Sequence, residues 1–157
     1  MSRRDRKHAL SSAYRSLARR AHSRHELQEK LERKKYPHDA VQAVLAELET
    51  QKFLDDRAFA ISFARDRMQR KQLGRDRVAL ELKIKGIAKE LIEETLGPLY
   101  GEIDEQALAK EALSKRLHAM KRSPTASDRR RFADFLRRRG FSYEAIRKAL
   151  KADYELC

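Results

Sequence analysis

The chain has no tryptophan and only one cysteine, Cys157, in 157 residues. A single thiol cannot close an internal disulfide, so the fold needs no oxidising compartment and a cytoplasmic setting fits. Five glycines and three prolines leave few points where a regular element must stop. No apolar run approaches the roughly 18 residues that cross a bilayer, so no membrane partner is expected. The opening segment MSRRDRKHALSSAYRSLARRAHS lacks the apolar stretch of a secretory signal. It is rich in Arg and Ser with one acid, Asp5, as transit peptides are, but the repeat described below gives it a structural role. β-Branched residues are scarce as well: Val, Ile and Thr number 12, against 19 Leu and 21 Ala. That balance favours helix over sheet.

Acid is in deficit. Lys and Arg number 37 and Asp and Glu 24, a net charge of +13. The excess is spread along the chain, at 12 against 7 in residues 1–50, 11 against 8 in 51–100 and 14 against 9 in 101–157. A body basic throughout points to a polyanionic partner, either nucleic acid or an acidic protein surface. Charged residues make up 39% of the chain and hydrophobic ones 41%. A packed core is therefore affordable, with much surface around it.

Three segments share one pattern: LQEKLERKKYPHDAVQAVL (27–45), VALELKIKGIAKELIEETL (78–96) and FADFLRRRGFSYEAIRKAL (132–150). Their apolar positions are Leu27, Leu31, Tyr36, Val41, Leu45; Val78, Leu82, Ile87, Ile92, Leu96; and Phe132, Leu136, Phe141, Ile146, Leu150. The spacing is 4, 5, 5, 4 each time, and the copies are offset by 51 and then 54 residues. An acid (Asp39, Glu90, Glu144) follows the middle apolar position by three residues in every copy. Such internal repetition marks a stacked helical array.

Gly86 and Gly140 fall just past a helical pattern, where a left-handed residue closes a helix and glycine meets no Cβ clash. Ile87 should then pack on Leu82 and Phe141 on Leu136. Basic side chains precede the turn and complement the negative end of the helix dipole. The acids that follow lie in the first turn of the next helix, and Ser142 is a fitting N-cap. The first copy departs, with Lys35 at the glycine position and Pro37 after Tyr36. A lysine at positive φ costs on the order of 1 kcal/mol, so a different turn is open there.

A leading helix precedes each pair. Ala9, Leu10, Ala13 and Leu17 recur as Ala60, Ile61, Ala64 and Met68, again 51 residues on. In the second unit this helix starts after Asp55 or Asp56, and in the third it reads DEQALAKEALSKRLHAM. The second helices start at Ser23, with Glu26 completing a capping box, at Gly74 and near Ser127. The expectation is an all-α fold of three tandem three-helix repeats, at 9–50, 54–100 and 103–156, stacked as an elongated, curved array.

No catalytic constellation emerges. Asp55–Asp56 and the trio His22, His25, His38 are of metal-ligating type, but helix capping explains the first, and no cysteine or acid completes the second. No P-loop, nucleophile elbow or dinucleotide glycine pattern is present. Neither an enzyme nor a cofactor is expected. The turns resemble helix-turn-helix units, but HDAVQAVLAELE and AKELIEETL are net acidic and YEAIRKALKADYE has no rich base-reading face. Backbone contact with nucleic acid stays open, since it needs only placed Arg and Lys.

LARRAHSRHELQEKL, FLDDRAFAISFARDRM, GRDRVALELKIKGI and RRFADFLRRRGFSYEAI resemble the RecX family of bacterial recombination regulators, in the family's order and over about residues 9–150. Lys52-Phe53 before LDD, where the family often has Gly-Tyr, and Lys35 at the turn are departures. The resemblance implies an inhibitor of the RecA recombinase that lies in the groove of the RecA–single-stranded DNA filament. It would limit filament growth, ATP hydrolysis and strand exchange, and a monomer is expected. Clustering at helix starts and on polar faces nominates Arg19, Arg20 and Arg24; Arg65, Arg70, Lys71, Arg75 and Arg77; and Arg129, Arg130, Arg137 and Arg138 as filament or DNA contacts. The alternative is a general DNA-binding helical-repeat protein that acts by occupying DNA.

Overall fold

The computed structural model describes residues 2–154, with side chains through residue 151. Cys157 and the last residues assigned to the third unit lie outside the described residues. The described residues form nine helices and no strand. They are α1 (Arg3–Leu17), α2 (Arg24–Arg33), α3 (His38–Thr50), α4 (Asp56–Lys71), α5 (Arg75–Ile84), α6 (Lys89–Gly101), α7 (Glu105–His118), α8 (Asp128–Arg138) and α9 (Tyr143–Tyr154). None is long and apolar enough to cross a membrane. Helix α1 starts well before residue 9, because the Ser2 hydroxyl accepts a hydrogen bond from the Arg4 amide and caps it.

Each run of three helices closes on its own core. All the repeat's apolar positions are buried except Tyr36, which is half-buried. Burying one such side chain is worth roughly 1.5–3 kcal/mol, so the repeated apolar stripe is what condenses each unit. The caps agree with the sequence pattern. The Ser23 hydroxyl and Glu26 carboxylate form a reciprocal capping box. Asp55, not Asp56, caps α4 by accepting from the Ala58 amide. The Ser142 hydroxyl accepts from the Ala145 amide at 3.2 Å.

The three turns share one geometry. Gly86 and Gly140 have φ of 74° and 85°, and Lys35, at 64°, is left-handed as well. In each, the residue after the left-handed position donates its amide back across the turn: Tyr36 to Leu31, Ile87 to Leu82 and Phe141 to Leu136. The lysine does not change the turn. It tolerates a strain of about 1 kcal/mol because the two backbone hydrogen bonds and the packing of Tyr36 hold the chain there.

The units join through their second helices. The C-terminal turn of α5 meets the N-terminus of α2, and that of α8 meets the N-terminus of α5. At the first joint the Ser23 hydroxyl donates to the Lys85 carbonyl at 2.6 Å, and the Arg24 amide donates to Asp56 at 2.8 Å. At the second, the amides of Gly74 and Asp76 donate to the carbonyls of Arg139 and Gly140 at 2.7 and 3.3 Å. The carbonyl end of one helix thus faces the amide end of the next, and their dipoles align head to tail. A Cβ on Gly86 would lie 2.3 Å from His25 Cβ, and one on Gly140 would lie 2.2 Å from the Arg77 amide nitrogen. These glycines are needed for close approach as well as for φ. Lys35 is exposed at the end of α2, with no such joint around it.

Candidate basic interface at the second joint

The joint between α5 and α8 builds a cleft. Helix α4 ends at Gln72, a left-handed residue with φ of 46°, and the chain turns sharply into α5. The Arg139 guanidinium reaches back from the end of α8 and donates to the carbonyls of Lys71 and Gln72. Lys115, from α7, donates to the Gln72 side-chain oxygen at 2.8 Å. The Gln72 side chain is itself fixed by donating to the Gln69 carbonyl at 2.7 Å. Beside these bonds lies an open cleft of about 660 Å³ lined by Arg70, Lys71, Arg77, Lys115, Arg138 and Arg139, with Glu81 and Phe135 among them.

The acid in this cleft is already answered. Burial alone would raise the Glu81 carboxyl, but Arg67 at 2.6 Å and Arg77 at 3.1 Å outweigh it and hold the group below its ordinary value. Arg67 also lies over the Phe63 ring, 4.2 Å from its centroid. Glu81 is therefore ionised and shared between two arginines. Lys71 and Arg138 are exposed and form no ion pair among the described residues. Arg70 pairs with Asp66 at 3.3 Å, yet its side chain is 84% exposed. An exposed i,i+4 pair of this kind holds a cation by only a few tenths of a kcal/mol, so the cleft presents loosely held positive charge.

Of the arginines and lysines nominated from sequence, Arg70, Lys71, Arg77 and Arg138 come together here. The others do not. Arg75 turns to α6 and pairs with Glu93 at 2.5 Å. Arg20 makes a two-pronged contact with Glu26, at 3.1 Å from each nitrogen. Arg24 is spent inside unit one on Glu49, Gln28 and Gln42. Arg19 lines a small separate basic depression with Lys30 and Lys34. Arg65 and Arg130 are exposed elsewhere, and Arg137 pairs with Asp134 at 3.2 Å. Arg129 is exposed and outside the cleft lining.

Sequence reasoning missed Lys115 as a lining residue and treated Arg139 as helix-end charge alone. A signal for Arg139 was present. Lys34, Lys85 and Arg139 stand at the same register, just before the left-handed residue. Lys85 and Arg139 both reach across a joint, whereas Lys34 turns inward to the Ser12 hydroxyl at 2.6 Å. The histidines are held singly: His22 is buried and bonded to the Arg20 carbonyl, and His25 and His38 face Glu29 and Glu32. Among the described residues no three His, Cys, Asp or Glu side chains converge as a metal site would require.

Comparison with known proteins matches this architecture unit by unit. The profiles of the first, second and third three-helix domains of RecX match residues 9–48, 55–96 and 103–150. The chain is 35% identical over 143 residues to the "Regulatory protein RecX" of Pelodictyon phaeoclathratiforme, covering 91% of this chain and 87% of the relative. It is 39% identical over 144 residues to the protein of the same description from Halorhodospira halophila, covering 90% and 85%. The crystal structure of RecX from Lactobacillus salivarius superposes with a TM-score of 0.78 over 98% of both chains at 21% identity, a likeness of fold.

Proposed function

Because the chain belongs to the RecX family, we propose that it is an inhibitory regulator of a RecA-type recombinase. In this reading it lies in the groove of the recombinase–single-stranded DNA filament and limits filament growth, ATP hydrolysis and strand exchange. The observation that carries the reading beyond family membership is the cleft at the second joint, where cations from α4, α5, α7 and α8 line the walls beside one neutralised acid and those of α4 and α8 (Arg70, Lys71 and Arg138) are loosely held. A row of linked units offers an extended surface able to touch several filament subunits at once. Arg70, Lys71, Arg77 and Arg138 form the central contact, and Arg19, Arg65, Arg129, Arg130 and Arg137 extend it. The protein works by occupancy, without a reaction of its own.

The test is recombinase ATP hydrolysis on single-stranded DNA, with this protein titrated well below one copy per recombinase subunit. The salt concentration is set where it no longer binds bare DNA. Strong inhibition supports the filament reading. Inhibition only at amounts that coat the DNA would instead favour the general DNA-binding reading. The Arg70→Glu, Lys71→Glu double variant should abolish inhibition with helicity intact.

A further inference from the structure

We infer that the cleft at the second joint continues along α8 as a track for a single nucleic-acid strand, with Phe135 as the platform on which one base stacks. The inference rests on the filament-regulator reading and supplies its direct contact with DNA. Two clefts adjoin. The first, about 660 Å³, lies between units two and three, and the second, about 310 Å³, lies between α7 and α8. They share Phe135 and Arg138. On one side of this pair stand Arg70, Lys71, Arg77 and Lys115, and on the other Arg116 and Arg131.

The acids along the track are all engaged. Glu81 is held by Arg67 and Arg77, Asp128 by Arg122 at 2.7 Å, and Asp134 by Arg137 at 3.2 Å. The Arg139 and Arg116 guanidiniums lie over the half-buried Phe135 ring, 5.1 and 5.6 Å from its centroid. A base stacking there takes the place of the exposed Arg116 contact, which is weak at an exposed site. Two basic clefts that share an aromatic ring offer what single strands require: charge to follow the phosphates and a π-face for a base. An acidic protein segment would pair with the cations and make no use of the ring as a stacking surface, whereas a base would use both. That favours a nucleic-acid strand over a protein acid cluster.

The experiment is fluorescence anisotropy of a labelled homothymidine oligonucleotide with the full chain and no recombinase present. Tight, salt-dependent binding is expected. The Lys115→Glu, Arg138→Glu double variant should weaken it at least tenfold and make the log–log salt slope shallower by about 1.4, at roughly 0.7 per phosphate contact. An Arg4→Glu, Lys89→Glu variant carries the same net charge but alters exposed sites off the track, and it should bind almost as the parent does. A strand of the same length with abasic sites should bind the parent about tenfold more weakly, and Phe135→Leu should erase that difference. The abasic comparison on the parent protein tests stacking even if Phe135→Leu fails to fold. Equal losses in the two double variants would overturn the track. So would equal affinity for abasic and homothymidine strands, or competition by polyglutamate as strong as by unlabelled strand. Because no recombinase is present, these results judge the track alone, while the ATP hydrolysis assay judges the regulator reading.

Discussion

The Lys85 ammonium lies 2.5 Å from the Glu26 carboxylate and ties the end of α5 to the first turn of α2. Burial alone would raise the Glu26 carboxyl. Hydrogen bonds from Arg20, Lys85 and the Ser23 amide overcome that and bring it down to about 2. The Glu26 side chain is 11% exposed, so the pairing is shielded from solvent in a way surface pairs are not.

Acid should therefore loosen the first joint. The folded-state value lies below the unfolded one of about 4.3. The stabilisation is thus fully present above roughly pH 4.5 and is lost as pH falls through about 2. Melting temperature measured from pH 6 to pH 2 should fall for the parent. Glu26→Gln should be less stable at pH 6, by on the order of 2 kcal/mol, and its melting temperature should fall less on acidification. Parallel curves for the two proteins would contradict this.

Glycine is needed where a joint forms. Gly140→Ala places a Cβ against the Arg77 backbone at φ 85°. Positive φ alone costs about 1–2 kcal/mol, so the melting temperature should drop by at least about 2 °C. Lys35→Gly should raise it by about 2–4 °C, since the turn is already left-handed. A neutral Gly140→Ala would mean that the joint can open without cost.

Arg75→Ala is expected to leave strand binding and filament inhibition nearly unchanged, since its guanidinium faces Glu93 on α6. The loss of an exposed pair should lower stability by less than about 1 kcal/mol. A large loss of inhibition in this variant would return Arg75 to the contact surface.

Asp128 organises the connector before α8. It accepts from both terminal nitrogens of Arg122 at 2.7 and 2.9 Å and from the Thr125 amide at 2.9 Å. The Arg122 guanidinium, with the Thr125 amide, holds its carboxyl well below the ordinary range. Asp128→Asn keeps the size and removes the charge. Limited proteolysis should then cut preferentially within residues 121–127. An unchanged cleavage pattern would show that the connector is held by other contacts.

Much of the fold could be read from the chain because it rests on local chemistry. The stripe of Leu27, Leu31, Val41 and Leu45, and its later copies, fixed helix length, facing and turn position at once. Gly86, Gly140 and Ser23 marked helix ends through φ and capping. The site was less legible. By charge alone Arg70, Lys71, Arg77 and Arg138 look the same as Arg20, Arg24 and Arg75, whose guanidiniums turn to Glu26, Glu49 and Glu93. Nothing in a charge count separates a cation facing solvent from one facing a carboxylate on the next helix.

By itself the sequence determined three helical units, their turns and a basic body, because periodicity, capping and backbone conformation act over a few residues. Tertiary structure decided which ends meet. Lys85 reaches Glu26 across 59 residues, and Arg139 reaches Lys71 across 68. Such contacts depend on how whole units dock, which follows from shape and from the fit of one helix's carbonyls to another's amides. That docking gathers Lys115 and Arg139 beside Arg70 and Arg138, and so turns a diffuse positive charge into a cleft with a defined position.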